Sequence, residues 1–213
     1  MKKNNMFTCL FVDVGGVLLT NGWDHRARRR AVSQFKLEWN EIESRHGLFV
    51  EPYELGLIGL EEYLNGVVFY QKRDFTRSSF RNFIFAQSKS HRKMMEFIVQ
   101  LKAIHGLKIV VVSNEGREVN AYRIRKFKLA GLVDFFISSC FVHLRKPDVN
   151  IFKMALDTVQ ISPEKIVYIE NTPLFDKVAE GLGIKSIFHK NYQSTRACLS
   201  YWGLSANEGI EYE

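Results

Sequence analysis

In the second half of the chain, apolar residues form short unbroken runs. Between the runs lie longer stretches in which they recur every three or four positions. LKIVVV (107–112) is continuous, apolar and β-branched, the pattern of a strand buried on both faces. VDFFIS (133–138), KIVYIE (165–170) and KSIFH (185–189) are further runs of this kind. The intervening spacing predicts helices over 117–130, stopped by Gly131, over 148–160, and over 173–182, stopped by Gly183. An amphipathic helix over 90–104 precedes the first of these strands, with Met94, Ile98 and Leu101 on its apolar side. FTCLFVDV (7–14) supplies one more strand near the start. Strands alternating with helices of this length imply βαβ units, hence an α/β fold with a doubly wound parallel sheet.

Residues 20–86 break the rhythm. They hold no convincing buried parallel strand. Instead come the amphipathic stretches DHRARRRAVSQFKLEW and LEEYLNGVVFYQK, then a run rich in aromatics (Phe75, Phe80, Phe83, Phe85). The expected organisation is an α/β core made of 1–19 and 87–213, with a helical insertion over 20–86 lying above it as a cap. No internal repeat, low-complexity segment or long polar linker interrupts this plan.

Composition narrows the class. With 46% hydrophobic and 25% charged residues in 213, the chain is ordinary for a globular protein, which excludes a disordered or collagen-like one. No uncharged apolar run is long enough to cross a bilayer, so no membrane partner is expected. Asp13 breaks the early apolar run, so that run reads as a buried strand rather than a signal peptide. The three cysteines, Cys9, Cys140 and Cys198, are odd in number and far apart, which suits reduced thiols in a cytoplasmic protein better than disulfides or a zinc site. The net charge of +7 favours anionic partners. The one dense basic run, Arg26-Ala27-Arg28-Arg29-Arg30, is followed by Glu38, Glu41 and Glu43 and reads as a solvated helix face. No nucleic-acid recognition motif accompanies it, so no nucleic-acid partner is expected.

In an open parallel sheet, ligands bind beyond the carboxyl ends of the strands. The residues there are Asp13-Val14-Gly15-Gly16 after the first strand and Ser113-Asn114 after the second. Lys146-Pro147 follows the third, and Glu170-Asn171 the fourth. A carboxylate, a hydroxyl, an ammonium and a carboxylate/amide pair together suit metal-assisted phosphoryl transfer. Metal and lysine neutralise phosphate charge, hydroxyl and backbone N–H groups hold its oxygens, and one carboxylate attacks.

FVDVGGVL, VVVSN, RKPDVNIFKMAL and VYIENTPLFDKVAEGLGI, in this order, resemble the haloacid dehalogenase superfamily. The likeness covers essentially the whole chain, with 20–86 in the place of the small helical cap. Members are mostly magnesium-dependent phosphatases acting through an aspartyl-phosphate, and a minority are dehalogenases, phosphonatases or mutases. The resemblance implies Asp13 as nucleophile and Mg²⁺ ligand, with Gly15 offering its backbone carbonyl to the metal. It implies Ser113 and Asn114 as phosphate-binding residues, and Lys146 as partner of both Asp13 and the phosphate. Glu170 and Asn171 stand where the family places its acidic metal-binding pair.

Two positions depart from that pattern. Phosphatases of the family usually carry a second Asp two residues after the nucleophile, as acid and base; here it is Gly15. General acid–base assistance is worth about 10²–10⁴ in rate. Some relatives, bacterial glucose-1-phosphatases among them, show a similar Asp-x-Gly opening, and anomeric or acyl phosphates need less protonation of the leaving group. The second departure is Asn171, a neutral ligand where a carboxylate is usual, which should weaken a hard cation. Asp176 is a further acid that could partly compensate, although its place on the following helix reads first as a surface position. The leading expectation is a magnesium-dependent phosphatase of a small phosphorylated metabolite, a sugar phosphate being one candidate. A catalytically impaired phospho-ligand binder and a metal-free dehalogenase are its rivals.

Overall fold

The computed structural model describes residues 6–206. Five parallel strands form one sheet in the order β3-β2-β1-β4-β5: β1 Cys9–Val12, β2 Lys108–Ser113, β3 Phe135–Ser138, β4 Ile166–Glu170 and β5 Lys185–Phe188. The first strand is shorter than its apolar run because the chain turns at Val14–Gly16, where Gly16 takes φ +79°. Both faces of the sheet are buried, and side-chain alternation sorts them. Leu10, Val12, Ile109, Val111, Val167 and Ile169 face one apolar layer. Cys9, Phe11, Val110, Val112, Ile166 and Tyr168 face the other.

Helices cover each layer. Residues of α5 (Arg92–His105) and α10 (Tyr192–Tyr201) pack in the first. Residues of α8 (Val149–Val159) and α9 (Pro173–Glu180) pack in the second. α8 starts where Asp148 caps it, its carboxylate accepting from Asn150 N at 2.9 Å. The helix expected over 117–130 is shorter: α6 spans Arg117–Lys126, and Lys128 turns left-handed (φ 53°) before a 3₁₀ turn at Leu129–Gly131. A one-turn helix, α7 (Ser139–Val142), follows β3. α10 covers a stretch for which the residue pattern predicted no element.

Residues 25–86 form four helices, α1 His25–Phe35, α2 Trp39–Glu54, α3 Leu60–Val67 and α4 Arg77–Ala86. The basic stretch from 24 to 39 is two elements rather than one. Asp24 caps α1 and Lys36 ends it in a left-handed turn at φ 52°. The aromatic run builds the core of this unit: fully buried Phe80 meets the rings of Trp23, Phe35, Phe69, Phe75 and Phe83. The two chain crossings between this unit and the sheet are tied together. Thr20 N donates to Lys89 O at 2.9 Å, and Thr20 Oγ1 donates to Gln87 O at 2.7 Å. Among the described residues, no helix is long and apolar enough to cross a membrane.

Candidate active site

The strand order reverses at β1, so the carboxyl ends of β1, β2 and β4 meet at the switch point of the sheet. Asp13 leaves β1 there, with its N–H bonded to Ile169 O of β4 at 3.0 Å. Ser113 ends β2 and Glu170 ends β4. Lys146 arrives from the loop after α7 and is clamped by its backbone. Its N–H donates to Asn114 Oδ1 at 2.8 Å, and its carbonyl accepts from Asn114 Nδ2 at 2.9 Å. The Asn114 side chain thus holds the lysine, which spacing alone did not reveal.

The charged centre is compact. Lys146 Nζ donates to Asp13 Oδ1 at 3.0 Å, Glu170 Oε2 at 2.6 Å and the Tyr168 hydroxyl at 3.0 Å. Burial raises the Asp13 pKa to about 6, opposed by Lys146 and reinforced by Glu170. The Ser113 hydroxyl, which donates to Glu115 Oε1 at 3.4 Å, also favours the charged form of Asp13. Burial opposes the Lys146 charge, but Asp13 and Glu170 outweigh it, so its pKa stands above the ordinary lysine value. Glu170 is fully buried and saturated with donors. Lys146 and Tyr168 serve Oε2, while Asn171 N (2.8 Å) and Thr172 N (2.9 Å) serve Oε1.

Asp13, Gly15, Ser113, Asn114, Lys146 and Asn171 all line one cavity of about 430 Å³. Glu170, expected to bind the metal, is fully buried and is not among the residues that line the cavity. Asp176 is neither a surface residue nor part of the cavity lining: it is buried and bonded to Ser186 of β5.

The oxygens around Asn171 test the fit of a cation. In one orientation of its amide, the nitrogen donates to Gly15 O at 3.1 Å and Glu170 Oε1 at 2.9 Å. In the other, the oxygen takes that place and the nitrogen faces Asn21 Oδ1 at 3.4 Å. The second orientation packs three oxygens together, those of Asn171, Gly15 and Glu170, a contact relieved either by turning the amide or by a cation among them. Their spacing matches the edge of an octahedral Mg²⁺ shell, about 3 Å for ligands at 2.0–2.1 Å. The Gly15 carbonyl and the Asn171 amide oxygen are thus spaced as two neighbouring Mg²⁺ ligands would be, and Asp13 lines the same cavity. The donor set is poor in charge, since no group of three or more His, Cys, Asp or Glu side chains forms among the described residues.

The helical unit supplies the opposite wall: Trp23, Arg28, His46, Val50, Tyr53 and Tyr63. Arg28, expected on a solvated face, is buried and ion-paired to Glu43. His46 carried no signal in the sequence. Burial lowers its pKa to about 4, with Arg28 adding to the shift, so the ring is neutral near pH 7. Two buried residues of the cavity lining, Glu115 and Arg123, were also illegible. Arg123 pairs with Glu115, donates to Ser88 Oγ at 3.0 Å and to Thr20 O at 3.3 Å, and so joins the loop after Ser113 to both chain crossings.

Residues 7–176 match the family of haloacid dehalogenase-like hydrolases. Bifunctional epoxide hydrolase 2 of Sus scrofa is 29% identical over 106 residues, covering 48% of this chain and 19% of that protein. The chain spans less than two fifths of the length of the curated relatives it matches. Among solved structures, a HAD family enzyme of Bacteroides thetaiotaomicron, in complex with magnesium and inorganic phosphate, superposes with a TM-score of 0.73. It is 20% identical over 86% of this chain and 94% of that one. L-2-haloacid dehalogenase of Xanthobacter autotrophicus, with chloropropionic acid covalently bound, gives 0.60 at 11% identity, over 93% of this chain and 84% of that one.

Proposed function

The chain belongs to the haloacid dehalogenase-like hydrolases, and from that premise we propose that it is a Mg²⁺-dependent phosphatase of a small phosphorylated metabolite. The observation that carries this reading is the Asp13–Lys146–Glu170 chain of contacts at the floor of the cavity, with Ser113 beside it. Asp13 is a buried carboxylate whose charge is held by a lysine, which leaves its second oxygen as nucleophile. Attack on phosphorus forms the Asp13 acyl phosphate and breaks the bond to the organic oxygen, which leaves as an alkoxide and takes its proton from solvent, since Gly15 supplies no acid. Water then attacks the same phosphorus, releasing inorganic phosphate and restoring the carboxylate.

Lys146 and Ser113 have the chemistry to hold the transferring oxygens, and Glu170 keeps Lys146 charged and aimed. Mg²⁺ would be held by the Asp13 carboxylate, the Gly15 carbonyl and the Asn171 amide oxygen, and it supplies positive charge against the phosphoryl group. Glu170 takes part through Lys146 and through the Asn171 backbone rather than as an open ligand.

A second reading is favoured by one observation, the Asn171 amide donating to Gly15 O and Glu170 where a cation would lie. That arrangement suits a metal-free hydrolase such as a dehalogenase. A screen of small phosphate esters with and without Mg²⁺, with Asp13→Asn as the blank, separates the two. Hydrolysis is expected in Mg²⁺, lost in chelator and lost in Asp13→Asn. Ester hydrolysis surviving in Asp13→Asn overturns the covalent route. Release of halide from 2-chloropropionate in chelator, with no ester cleaved, overturns the phosphatase.

A further inference from the structure

We propose that His46 is a specificity-determining hydrogen-bond donor, held by Trp23 and Tyr63 so that its Nε2–H reads an oxygen on an uncharged, hydroxyl-bearing organic group of the substrate. The proposal rests on the phosphatase reading above and deepens it from the phosphate to the part of the substrate that departs.

Proton counting fixes the ring. Trp23 Nε1–H can only donate, and it donates to the Tyr63 hydroxyl oxygen at 2.7 Å. Tyr63 then has one proton to place. Its only acceptor among the described residues is His46 Nδ1, at 2.6 Å. Nδ1 is therefore the acceptor and the neutral ring carries its proton on Nε2. Nε2 has no hydrogen-bond partner among the described residues, and the residue lines the cavity that holds Asp13. The shift of the His46 pKa to about 4 agrees with a ring that stays neutral and keeps this single tautomer.

The rest of the wall states what kind of group the donor meets. Four cationic side chains line the cavity, and each already has a carboxylate partner: Arg28 with Glu43, Arg123 with Glu115, Arg145 with Glu54, and Lys146 with Asp13 and Glu170. A second anion on the substrate would find no unpaired cation there, and it would face the Asp24 carboxylate. Trp23, Tyr53 and Phe175 add apolar ring surface, with Tyr53 stacked on the fully buried Tyr63 at 4.9 Å between centroids. Ring faces together with a fixed N–H donor suit a polyol or sugar, whose C–H face packs on aromatics while its oxygens accept hydrogen bonds.

The test is steady-state kinetics on α-D-glucose 1-phosphate, its 2-, 3-, 4- and 6-deoxy analogues, fructose 1,6-bisphosphate and acetyl phosphate. The enzymes are the wild type, His46→Phe and Tyr63→Phe, each checked for folding by thermal melting. In the wild type, one deoxy analogue should lose about ten-fold or more in kcat/KM, the cost of leaving a donor unpaired. In His46→Phe that penalty should shrink to about three-fold or less, mainly through KM. Tyr63→Phe, which frees the tautomer, should reduce it in the same direction and carries the test if His46→Phe does not fold. Three outcomes overturn the proposal while leaving the phosphatase standing. One is an unchanged penalty in both variants, another is preference for the bisphosphate, and the third is turnover of acetyl phosphate with none of the sugar ester. No turnover of any ester by the wild type removes the phosphatase reading itself.

Discussion

Replacing Asn171 by Asp puts a second negative charge where an amide now mediates between two oxygens. The atom at issue lies 2.9 Å from Glu170 Oε1 and 3.1 Å from Gly15 O. Without metal, the variant exchanges two N–H···O bonds for close oxygen contacts, one of them between like charges. Two unit charges about 4 Å apart repel by roughly 4 kcal/mol at an effective dielectric of 20. Lys146, already bonded to Asp13 and Glu170, screens part of this. A net destabilisation of about 1–3 kcal/mol follows for the metal-free protein, which for a chain of this size lowers Tm by roughly 2–12 °C. Mg²⁺ should reverse the sign. A carboxylate in place of an amide repays more of the cost of stripping water from the ion, so affinity should rise on the order of ten-fold, about 1.4 kcal/mol. Melting curves in chelator and in millimolar Mg²⁺, with calorimetric titration of the metal, read both arms. The variant should melt below the parent in chelator and gain more from Mg²⁺ than the parent does. Equal melting in chelator together with equal affinity would refute the reasoning, because Asn171 would then not stand among the metal's oxygens.

The Asp176 carboxyl has its pKa raised by burial to about 6, partly opposed by its hydrogen bond with Ser186. The folded protein thus binds this proton more tightly than the unfolded chain. The cost of the buried charge is fully present above pH 6 and disappears as pH falls from 6 through the unfolded value of 3.8. Asp176→Asn should therefore stabilise the protein by roughly 1–3 kcal/mol at pH 8 and by progressively less toward pH 4, as read by urea unfolding at both ends. Because Gly15 provides no acid, rates on a series of aryl phosphates should rise steeply with leaving-group acidity; a flat series would place a proton donor elsewhere in the cavity.

The sheet was open to reading because its residues serve one purpose each. A β-branched run such as 109–112 has no alternative to a doubly buried strand, and the strand ends then name Asp13, Ser113 and Glu170 by position alone. Strand ends fix the β-sheet side of the site and say nothing of the opposite wall. Arg28 looked solvated because neighbours in sequence are charged, whereas its burial comes from Glu43, fifteen residues on. His46 gains its meaning from Tyr63 and Trp23, seventeen and twenty-three residues away, with no metal-ligand or catalytic spacing. Arg123 sits on a helix rich in basic residues and is distinguished only by the tertiary contacts that bury it. The stops expected at Gly131 and Gly183 lie past the true helix ends, α6 closing at Lys126 and α9 at Glu180, and the left-handed breaks at Lys36 and Lys128 were not legible either, since nothing in lysine favours that conformation.

The two departures from the phosphatase pattern belong to one arrangement. A Cβ on Gly15 would stand 3.3 Å from Asn21 Oδ1 and 3.6 Å from Asn21 Cα. The space beside a side chain at that position is thus already taken by an amide from the first chain crossing. A Cβ on Gly16 would meet the Asn171 amide at 2.0 Å, in a backbone conformation that side chains rarely adopt. Asn171 can lie flat against the turn after Asp13 only because Gly16 has no side chain, and its amide nitrogen then reaches Asn21 in one orientation and the Gly15 carbonyl in the other. Neutral amides from two distant segments therefore fill a corner in which the family pattern would put carboxylates at 15 and 171. Asp13 remains the one carboxylate that lines both the floor of the cavity and this corner. Restoring an acid at Gly15 alone would press on Asn21, which must give by a few tenths of an ångström, and would leave the Asn171 amide in place.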